Sequence, residues 1–286
     1  MLVGNLSRLV AVAVAALAIV SLAGCGGGGG ASTTPTTPTT PTSPTGSTPA
    51  TGNACSAVTG FFDVPYGIVN GVQCTDQQAN RSSVVWLQLL GSNGLAVAFC
   101  SGTVIDTQAV LTAAHCLTDT TKGVAAYMGT GKVPITTTEF YASPGYTGVG
   151  PSSLDVGVVI FKEPLNQSVV PLLTSRAATP GESGVIAGWG SDGILGGGQT
   201  LRAGTLTVAR VTDTYIEANY STTSSSICAG DSGGPLLISV GGVWAVAGVT
   251  SSTTTGCLSG TSSYAKVSNG SIRSFIIKYV PAAGER

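Results

Sequence analysis

The sequence has little charge, few aromatic residues and a single histidine. Only 9% of its 286 residues are charged and 6% are aromatic, and the net charge is -1. Basic clusters are few, so the chain lacks the positive surface with which proteins neutralise phosphates, and nucleic acid is excluded as a partner. What it has instead is 43% hydrophobic residues, 41 glycines and many Ser and Thr. This is enough apolar material for a sizeable core beneath a surface that relies on hydroxyl groups.

The first 24 residues have the composition of an export signal. Arg8 follows a short polar start, residues 9–20 form a continuous apolar run, and Leu22-Ala23-Gly24 supplies the small residues of a processing site. The run is too short to span a bilayer comfortably and has no basic flank beyond it. With Cys25, the site is similar to a bacterial lipobox, in which the cysteine is lipidated and becomes the mature N-terminus. An ordinary secretory signal followed by an incidental cysteine is the alternative.

These features predict where the protein is found and how it is attached. Residues 1–24 are a predicted lipoprotein-type signal peptide, and the chain is predicted to be exported across the cytoplasmic membrane. It would then be a cell-envelope lipoprotein held at the membrane through Cys25, or a secreted protein if Cys25 is not lipidated. Residues 25–53, rich in Gly and then in Thr and Pro, cannot bury apolar surface and are predicted to form a disordered tether.

From Ala54 onward the composition changes to that of a folded β protein. Short apolar or alternating runs recur with turn residues between them, which favours an all-β sandwich or barrel pair over a parallel α/β sheet. The predicted strands are 84–90, 95–99, 109–111, 124–128, 156–161, 184–187, 205–211, 235–240 and 243–249. Only the end of the chain has a helical pattern, with candidate caps at Ser268 and Asn269. Its apolar positions at helical spacing are Ile272, Phe275, Ile276 and Tyr279.

The candidate chemistry is organised around Gly230-Asp231-Ser232-Gly233-Gly234-Pro235. A serine hydroxyl is a poor nucleophile at neutral pH, so it needs a fixed backbone, an adjacent base and donors for the negative charge it creates. The glycines allow a tight turn and close substrate approach, and they leave the N–H groups of Gly230 and Ser232 free to converge. Taken alone, the motif is interpreted equally well as a solvent-exposed turn.

Two further segments carry the other residue types that such chemistry needs. Thr112-Ala113-Ala114-His115-Cys116 contains the histidine, and Leu154-Asp155-Val156-Gly157 begins an apolar run. Together with the serine motif, and in the chain order His, Asp, Ser, they resemble the chymotrypsin/trypsin family of serine proteases. The resemblance runs from Ile68 to the C-terminus and includes Ala187-Gly188-Trp189-Gly190, a family motif with a structural packing role.

The resemblance implies a fold, a domain division and an activity. The fold is all-β, with two six-stranded antiparallel β-barrels and a C-terminal α-helix. Residues 54–67 would be a propeptide-like segment and residues 68–286 a trypsin-like peptidase domain, a monomer acting on protein or peptide substrates. The activity would be that of a serine endopeptidase working through an acyl-enzyme, with no cofactor and no metal. A catalytically silent binding lipoprotein on the same scaffold is the alternative function.

By the same resemblance, Ser232 is the nucleophile, His115 the general base and Asp155 the carboxylate that orients the imidazole. The backbone N–H groups of Gly230 and Ser232 would donate to the oxyanion. Asp155 opens an apolar strand, so it would be buried and would need partners. Orienting the imidazole and stabilising its cation meets that need.

Alternatives exist for two of these roles. A single histidine is more often a structural or surface residue than a catalyst, and it is the segment around His115 that favours catalysis. Asp106 and Asp119 are close to His115 in sequence, but both are more simply interpreted as surface turn residues.

Ile68-Val69-Asn70-Gly71 resembles the mature N-terminus of the family, usually Ile-Val-Gly-Gly. In the family, cleavage before this isoleucine frees an amino group that inserts and pairs with the aspartate before the nucleophile, here Asp231. The chain would thus be a zymogen that needs an activating protease, although a simple turn residue is the alternative for Asp231. The residue before Ile68 is Gly67, where many family zymogens carry Arg or Lys. A trypsin-like activator would therefore not cut there.

Seven cysteines, less the candidate lipidation site Cys25, leave six, an even number suited to an oxidising compartment. The sequence alone leaves their connectivity open. The resemblance implies one disulfide between Cys100 and Cys116, beside the histidine. It implies another between Cys228 and Cys257, at the wall of the substrate pocket.

Cys74 matches a family cysteine whose usual partner is missing from this sequence. Its predicted partner is Cys55, the cysteine that is left. Such a bond would keep any cleaved N-terminal segment, and with it the lipid anchor, covalently attached to the catalytic domain.

The resemblance also places the substrate pocket. Its base, six residues before the nucleophile, is Ser226 rather than an aspartate. A bound Lys or Arg side chain would leave its charge unpaired, so trypsin-like cleavage is disfavoured. Thr253 and Ser262 fall on the pocket walls, where glycines would leave a deeper slot. We expect preference for an uncharged residue before the scissile bond, small or medium in size and apolar.

Overall fold

The computed structural model describes residues 54–59, 68–148, 150–191 and 200–286. The predicted signal peptide, Cys25, the tether and most of segment 54–67 lie outside the described residues. Among the residues that are described, no helix is both long enough and apolar enough to cross a lipid bilayer. In chain order the elements are α1 (Ala54–Thr59), β1 (Val72–Gln73), α2 (Asp76–Ala79), β2 (Val84–Leu90), β3 (Ala96–Asp106), β4 (Ala109–Thr112), a 3₁₀ helix (Ala114–Cys116), β5 (Gly123–Tyr127), β6 (Ile135–Thr137), β7 (Glu139–Ala142), β8 (Gly157–Ile160), β9 (Ser183–Gly188), β10 (Arg202–Thr207), β11 (Arg210–Val211), β12 (Tyr215–Asn219), β13 (Pro235–Val240), β14 (Val243–Thr253), β15 (Thr261–Lys266) and α3 (Gly270–Tyr279).

The first sheet has seven antiparallel strands in the order β6-β5-β2-β3-β4-β8-β7. Its two outermost strands, β6 and β7, are consecutive in the chain and are separated only by a bend at Thr138. They are two halves of one bent strand, so counting them once gives a barrel of six strands. Inward-facing side chains such as Leu87 and Leu89 of β2 are almost fully buried and fill its interior.

The second sheet has eight antiparallel strands in the order β1-β10-β9-β13-β14-β15-β12-β11. Here β10 pairs with β9 and β11 pairs with β12, although only residues 208 and 209 separate β10 from β11. These two strands are again halves of one bent strand, and β1 is an additional short strand on the edge of β10. The prediction of two six-stranded antiparallel barrels is confirmed, with β1 as an addition that the sequence pattern did not reveal.

The C-terminal helix forms where its periodic pattern predicts. Asn269 is the N-cap, and its side-chain oxygen accepts hydrogen bonds from the N–H groups of Ser271 and Ile272 at 3.0 and 3.2 Å. The apolar face of α3 buries Ile272, Phe275 and Ile276. At the last turn, Tyr279 stacks on Tyr141 of β7 with ring centroids 3.9 Å apart. These contacts fix the end of the chain on the first barrel.

Trp189 connects the two barrels. It directly follows β9 of the second barrel and is only 2% exposed. Its indole N–H donates a hydrogen bond of 3.0 Å to the carbonyl oxygen of Val84, on β2 of the first barrel. A buried indole whose polar atom is satisfied packs at little cost. The motif around Trp189 therefore has a packing role, as its resemblance implies.

The helix α1 is packed into the folded domain although it precedes Ile68. Its Ala54, Cys55 and Val58 side chains are buried, and the carbonyl oxygen of Val58 accepts a hydrogen bond from the N–H of Ser83 at 3.0 Å. A disulfide joins Cys55 to Cys74. Part of the predicted propeptide-like segment thus belongs to the core of the domain.

Candidate active site

His115 and Asp155 lie at the same end of the antiparallel pair formed by β4 and β8. His115 lies in the 3₁₀ helix after β4, and Asp155 lies two residues before β8. In the β4–β8 ladder, Thr112 is opposite Gly157. Because the strands are antiparallel, the chain leaving β4 and the chain entering β8 meet at one edge of the barrel.

The two side chains are joined by a pair of hydrogen bonds. The ring Nδ1 of His115 lies 2.8 Å from Oδ2 of Asp155, and the backbone N–H of His115 donates to Oδ1 at 3.0 Å. The hydroxyl of Ser251 donates to Oδ2 at 2.6 Å. The Asp155 side chain is 3% exposed and that of His115 is 28% exposed. This places a carboxylate behind the ring and leaves the Nε2 edge of the ring facing away from it.

The contacts of Asp155 also set its ionisation. Burial acts to raise the pKa of Asp155, but the hydrogen bonds from His115 and Ser251 outweigh burial and hold the pKa below its ordinary value. The group is therefore a carboxylate at neutral pH. A carboxylate that accepts from Nδ1–H fixes the tautomer in which Nε2 can accept a proton.

Ser232 lies in the loop before β13, which is packed against the strands leading to the histidine. The carbonyl oxygen of Ser232 accepts a hydrogen bond from the N–H of Ser101 at 2.8 Å, and Sγ of Cys116 lies 4.0 Å from the same oxygen. The next residue, Gly233, has a φ of +83°, and a Cβ there would lie 2.1 Å from Oγ1 of Thr112. Only glycine permits this approach. The loop therefore holds Ser232 beside the segment that carries the histidine.

The backbone around Ser232 leaves two N–H groups unoccupied. Gly230 has a φ of +93°, and its carbonyl oxygen accepts a hydrogen bond from the hydroxyl of Ser101 at 2.9 Å. Within the described part of the chain, neither the N–H of Gly230 nor that of Ser232 donates to another backbone carbonyl. Two such donors on one loop are what a developing oxyanion needs.

Asp231 is buried beneath this loop, with 1% exposure. Its Oδ1 accepts from the N–H of Gly190 at 2.9 Å and its Oδ2 from the N–H of Cys228 at 2.8 Å. Burial raises the pKa of Asp231 to about 7, although the two N–H donors and the charge of Arg202 act to lower it. Asp231 is therefore an internal anchor of the loop and not a surface turn residue.

Ile68 is packed inside the second barrel. Its side chain is 1% exposed, its carbonyl oxygen accepts from the N–H of Gly71 at 2.5 Å, and Val69 forms an isolated bridge with Ser226. Its φ of +48° is rare for a β-branched residue. In the intact chain the nitrogen of Ile68 is an uncharged amide, so the predicted ion pair with Asp231 requires a cut chain.

Comparison with known proteins fits this geometry. The sequence model of the family described as Trypsin matches residues 68–276. The chain belongs to the Trypsin family. This is a family of serine proteases, and the match covers both barrels and most of the C-terminal helix.

Several relatives are similar to parts of the chain. The CLIP domain-containing serine protease B4 of Anopheles gambiae is 30% identical over 230 residues, which are 63% of this chain and 64% of that protein. Kallikrein-11 of Homo sapiens is 31% identical over 165 residues, 48% of this chain and 57% of that protein. A trypsin-like protease of Streptomyces glaucescens is 28% identical over 160 residues, 48% and 58% of the respective chains. The chain thus spans less than two thirds of the length of these relatives. A solved structure titled HL collagenase superposes with a TM-score of 0.60 at 20% identity, covering 75% of this chain and 99% of that one, and this likeness concerns the fold.

The three predicted pocket residues of this Trypsin-family chain lie together. The hydroxyl oxygens of Ser226 and Ser262 are 3.2 Å apart, and the two residues are 1% and 3% exposed. Thr253 is the cross-strand partner of Ser262 in the β14–β15 ladder. Two hydroxyl groups in contact occupy space that glycines would leave open. At the predicted pocket, Ser226 and Ser262 therefore present neutral hydroxyl groups in contact with each other.

Two residues of the site were not predicted. Ser251 donates to Asp155, and Ser101 contacts both Gly230 and Ser232. Each is one serine among many in a chain rich in hydroxyl groups, so composition and periodicity give no signal for them. The predicted β-strand ending at Val249 stops two residues before Ser251, whereas β14 continues to Thr253.

Of the two rival carboxylates, Asp119 is an exposed turn residue as predicted, whereas Asp106 is the last residue of β3 and is half-buried. Oδ1 of Asp106 accepts hydrogen bonds from the hydroxyl of Thr107 and the N–H of Gln108, and Asp119 is exposed. Among the described residues, the hydrogen bonds that His115 makes to side chains go to Asp155 and to neither of these carboxylates.

The cysteines form three disulfides, Cys55–Cys74, Cys100–Cys116 and Cys228–Cys257. Among the described residues, Cys100, His115 and Cys116 bring potential metal-ligand atoms within 4.8 Å of one another. The two sulfurs are bonded to each other, so they are not thiolates and this cluster is not a metal centre.

Proposed function

We propose that this chain is a serine endopeptidase in which Ser232 is the nucleophile, His115 the general base and Asp155 the orienting carboxylate. The observation that carries the proposal is the buried Asp155 carboxylate bonded to both the ring Nδ1 and the backbone N–H of His115. Such an arrangement has no evident structural purpose at a barrel edge, but it is what a general base requires. Membership of the Trypsin family supports it.

The proposed reaction proceeds in two halves. Oγ of Ser232 attacks the carbonyl carbon of the scissile peptide while its proton passes to Nε2 of His115. The oxygen that becomes negative is stabilised by the N–H groups of Gly230 and Ser232. The imidazolium then protonates the leaving amine, the C–N bond breaks, and an acyl-enzyme remains. Water, deprotonated by the same ring, hydrolyses the acyl-enzyme and regenerates the serine.

The proposed specificity follows from the pocket. No charged side chain is hydrogen-bonded to Ser226 or Ser262 among the described residues, so a bound Lys or Arg would be desolvated without a partner. The contact between the two hydroxyl groups leaves little depth. We therefore assign preference for a small or medium uncharged residue before the scissile bond. A panel of chromogenic peptides measures this, and efficient cleavage after arginine would contradict it.

The proposal includes maturation by a cut before Ile68. The burial of Ile68 and the bridge from Val69 to Ser226 support it, because the new N-terminus would already lie inside the second barrel. The disulfide between Cys55 and Cys74 would retain the upstream piece. Export, lipidation of Cys25 and a tether of residues 25–53 complete the proposal, and they rest on the sequence pattern alone.

A fluorophosphonate probe provides the test. It should label the wild-type protein at Ser232, found by peptide mapping, and it should not label the S232A variant. The D119N variant is a matched control that should be labelled like the wild type. A mature, correctly trimmed protein that no acylating probe labels would refute the endopeptidase and favour the silent binding lipoprotein.

A further inference from the structure

A cavity of about 700 Å³ lies on the second barrel, apart from the candidate active site. Its lining residues come from β9, β10, β13, β14, the end of β12 and the loop that follows it. None of the proposed triad, oxyanion or pocket residues is among them. Sites that bind small molecules usually have volumes of about 300–1,000 Å³. The cavity is therefore large enough for a ligand that the proposed peptidase chemistry does not use.

Exposed side chains of β9 and β10 form one part of the cavity floor. In β10, Thr205 and Thr207 are exposed, whereas Leu206 between them is buried in the interior of the second barrel. The two threonines therefore lie on the outer face of the sheet, since side chains alternate along a strand. Thr207 is opposite Ser183 of β9, and opposed residues project to the same face. Three hydroxyl groups thus share this face.

The floor continues across β13 and β14 to an indole ring. Leu237 of β13 is opposite Val185 of β9. Ser239 and Ser183 each lie two residues from one of these partners, so both project to the outer face. Ser239 is in turn opposite Trp244 of β14. Trp244, which is half-buried, thus ends a row of hydroxyl residues that crosses four neighbouring strands.

The polar groups of this floor have no partners within the described part of the chain. The hydroxyl groups of Ser183, Thr207 and Ser239 make no hydrogen bond there. Neither does the indole N–H of Trp244, whereas that of Trp189 donates to a carbonyl oxygen. A hydroxyl group offers one donor and two lone pairs, and an indole offers one donor. All of them are therefore available to a ligand.

The chain after β12 adds polar groups at the wall of the cavity. The lining there includes Asn219, Ser221, Thr223 and Ser224. The side-chain oxygen of Asn219 accepts a hydrogen bond from the hydroxyl of Thr261 at 2.9 Å, which fixes the amide and leaves its NH₂ group as a donor. The hydroxyl oxygens of Ser221 and Thr223 are 3.4 Å apart. The wall thus presents neutral donors and acceptors, as the floor does.

The cavity has no charged lining residue among those that the structure describes. The charged residues next to it in sequence are engaged with each other's neighbours. Glu182 accepts from the guanidinium of Arg176 at 2.6 Å, and Arg210 donates to Glu217 at 2.8 Å. A charged ligand would be desolvated in the cavity without a counter-ion. The ligand is therefore neutral.

We propose that this cavity binds a neutral oligosaccharide. A pyranose ring has an apolar C–H face, which packs on an aromatic ring such as that of Trp244, and a rim of hydroxyl groups, which matches the polar floor and wall. The lining contains four serines, three threonines and one asparagine, but only one aromatic residue. Proline-rich peptides, the other neutral ligands of tryptophan sites, dock in grooves lined by aromatic residues. The inference is independent of the proposed function, because the two sites share no residue.

The first experiment titrates the full chain with three neutral trisaccharides, cellotriose, maltotriose and tri-N-acetylchitotriose, by isothermal titration calorimetry. At least one should bind with a Kd of about 1 mM or tighter. Trigalacturonic acid, a trisaccharide of similar size with three carboxylates, should bind at least about tenfold more weakly, because the cavity offers it no cation. A Kd weaker than about 1 mM for all three neutral sugars would overturn the proposal. Equal affinity for the acidic sugar would overturn it as well.

The second experiment places the sugar at Trp244. W244A should bind the best trisaccharide at least about tenfold more weakly, because the apolar contact with the ring is lost. Trp86 provides the matched control, since it is also half-buried but lies on the first barrel, where its ring packs against Phe99 and Tyr127. W86A should bind like the wild type. An equal loss in W86A and W244A, with circular dichroism showing both folded, would contradict the assignment.

A third experiment tests the hydroxyl groups and does not depend on the folding of W244A. T207V keeps the shape of the side chain and removes a hydroxyl from the floor, so it should weaken sugar binding by about fivefold, the effect of one hydrogen bond between neutral groups. T136V makes the same change at an exposed position of β6 in the first barrel and should have no effect. Wild-type affinity in T207V would refute the polar recognition that defines a saccharide site.

The rival ligand is tested with a nonaproline peptide. It should bind more weakly than the best trisaccharide and should be insensitive to T207V. Tighter binding of nonaproline than of every sugar, abolished by W244A, would make the cavity a peptide groove and would end the proposal. Fluorophosphonate labelling of Ser232 reports on the proposed function separately. Loss of labelling would leave the sugar titrations unaffected, and failure of the titrations would leave the endopeptidase standing.

Discussion

Asp155 accepts two hydrogen bonds from one residue, His115, through a different oxygen for each. Oδ2 lies 2.8 Å from the ring Nδ1 and Oδ1 accepts from the backbone N–H at 3.0 Å. The second bond fixes the carboxylate to the histidine backbone, so the ring cannot rotate without losing the first. This coupling makes the tautomer of the ring a property of the fold.

Replacing Asp155 by Asn should abolish most activity without unfolding the protein. The amide can keep the geometry but favours the wrong tautomer of His115, so kcat should fall by about 10⁴. Steady-state hydrolysis of a chromogenic peptide measures the change, and circular dichroism checks the fold. D106N, which replaces a carboxylate at the end of β3 that bonds to Thr107 and Gln108 and not to His115, should behave as wild type. A kcat for D155N within tenfold of wild type would remove Asp155 from the mechanism.

Replacing Ser251 by Ala should remove one of the hydrogen bonds that stabilise the Asp155 carboxylate. The hydroxyl donates to Oδ2 at 2.6 Å, and a hydrogen bond to a charged group is worth about 1.5–3 kcal/mol. We expect kcat to fall by about tenfold with little change in KM, because the hydroxyl acts through the Asp155 carboxylate. S252A, one residue along the same strand, provides the comparison. A larger change in KM than in kcat would mean that Ser251 binds substrate instead.

Some site residues and strands can be predicted from the sequence, and others cannot. The proposed triad residues stand in motifs that resemble those of the family, so they can be located through that resemblance. Ser251 and Ser101 act through position only, and a serine in a hydroxyl-rich chain has no pattern that distinguishes it. In the fold, apolar strands such as β2 and β13 were found with their bounds. The strand β15 was missed because Thr261 to Ser263 are all hydroxyl residues, although Tyr264 and Ala265 are fully buried.

Replacing Ser262 by Gly should enlarge the substrate pocket. Removal of its hydroxymethyl group takes away the contact with Ser226 at 3.2 Å and deepens the slot. We expect kcat/KM for substrates with phenylalanine before the scissile bond to rise relative to alanine by about tenfold, the scale on which pockets discriminate by size. S263G, on the other face of β15, controls for the loss of strand stability. An unchanged ratio would place the pocket elsewhere.

The disulfide between Cys55 and Cys74 should stabilise the domain as well as retain the upstream piece. Its partners are 19 residues apart, and closing a loop of this size contributes about 3 kcal/mol. The free energy of unfolding of the C55A/C74A variant, measured by urea denaturation, should be lower by that amount. After cleavage before Ile68, a denaturing gel without reduction should show one band for wild type and two for the variant. Two bands for the wild type would mean that the disulfide does not retain the upstream piece.

The free energy of unfolding of the intact chain should decrease as pH rises, because of Asp231. Burial raises its folded pKa from 3.8 to about 7, so between these values the folded state binds more protons than the unfolded state. Stability is therefore full below pH 4 and is lost as pH rises through about 7, by about 4 kcal/mol in total. Urea unfolding between pH 4 and pH 8 measures it, with D231N as the reference because an amide does not titrate. Subtracting the D231N curve should isolate this slope. A difference that stays flat across the window would mean that Asp231 is already ionised at pH 4, so that the N–H donors of Gly190 and Cys228 outweigh its burial.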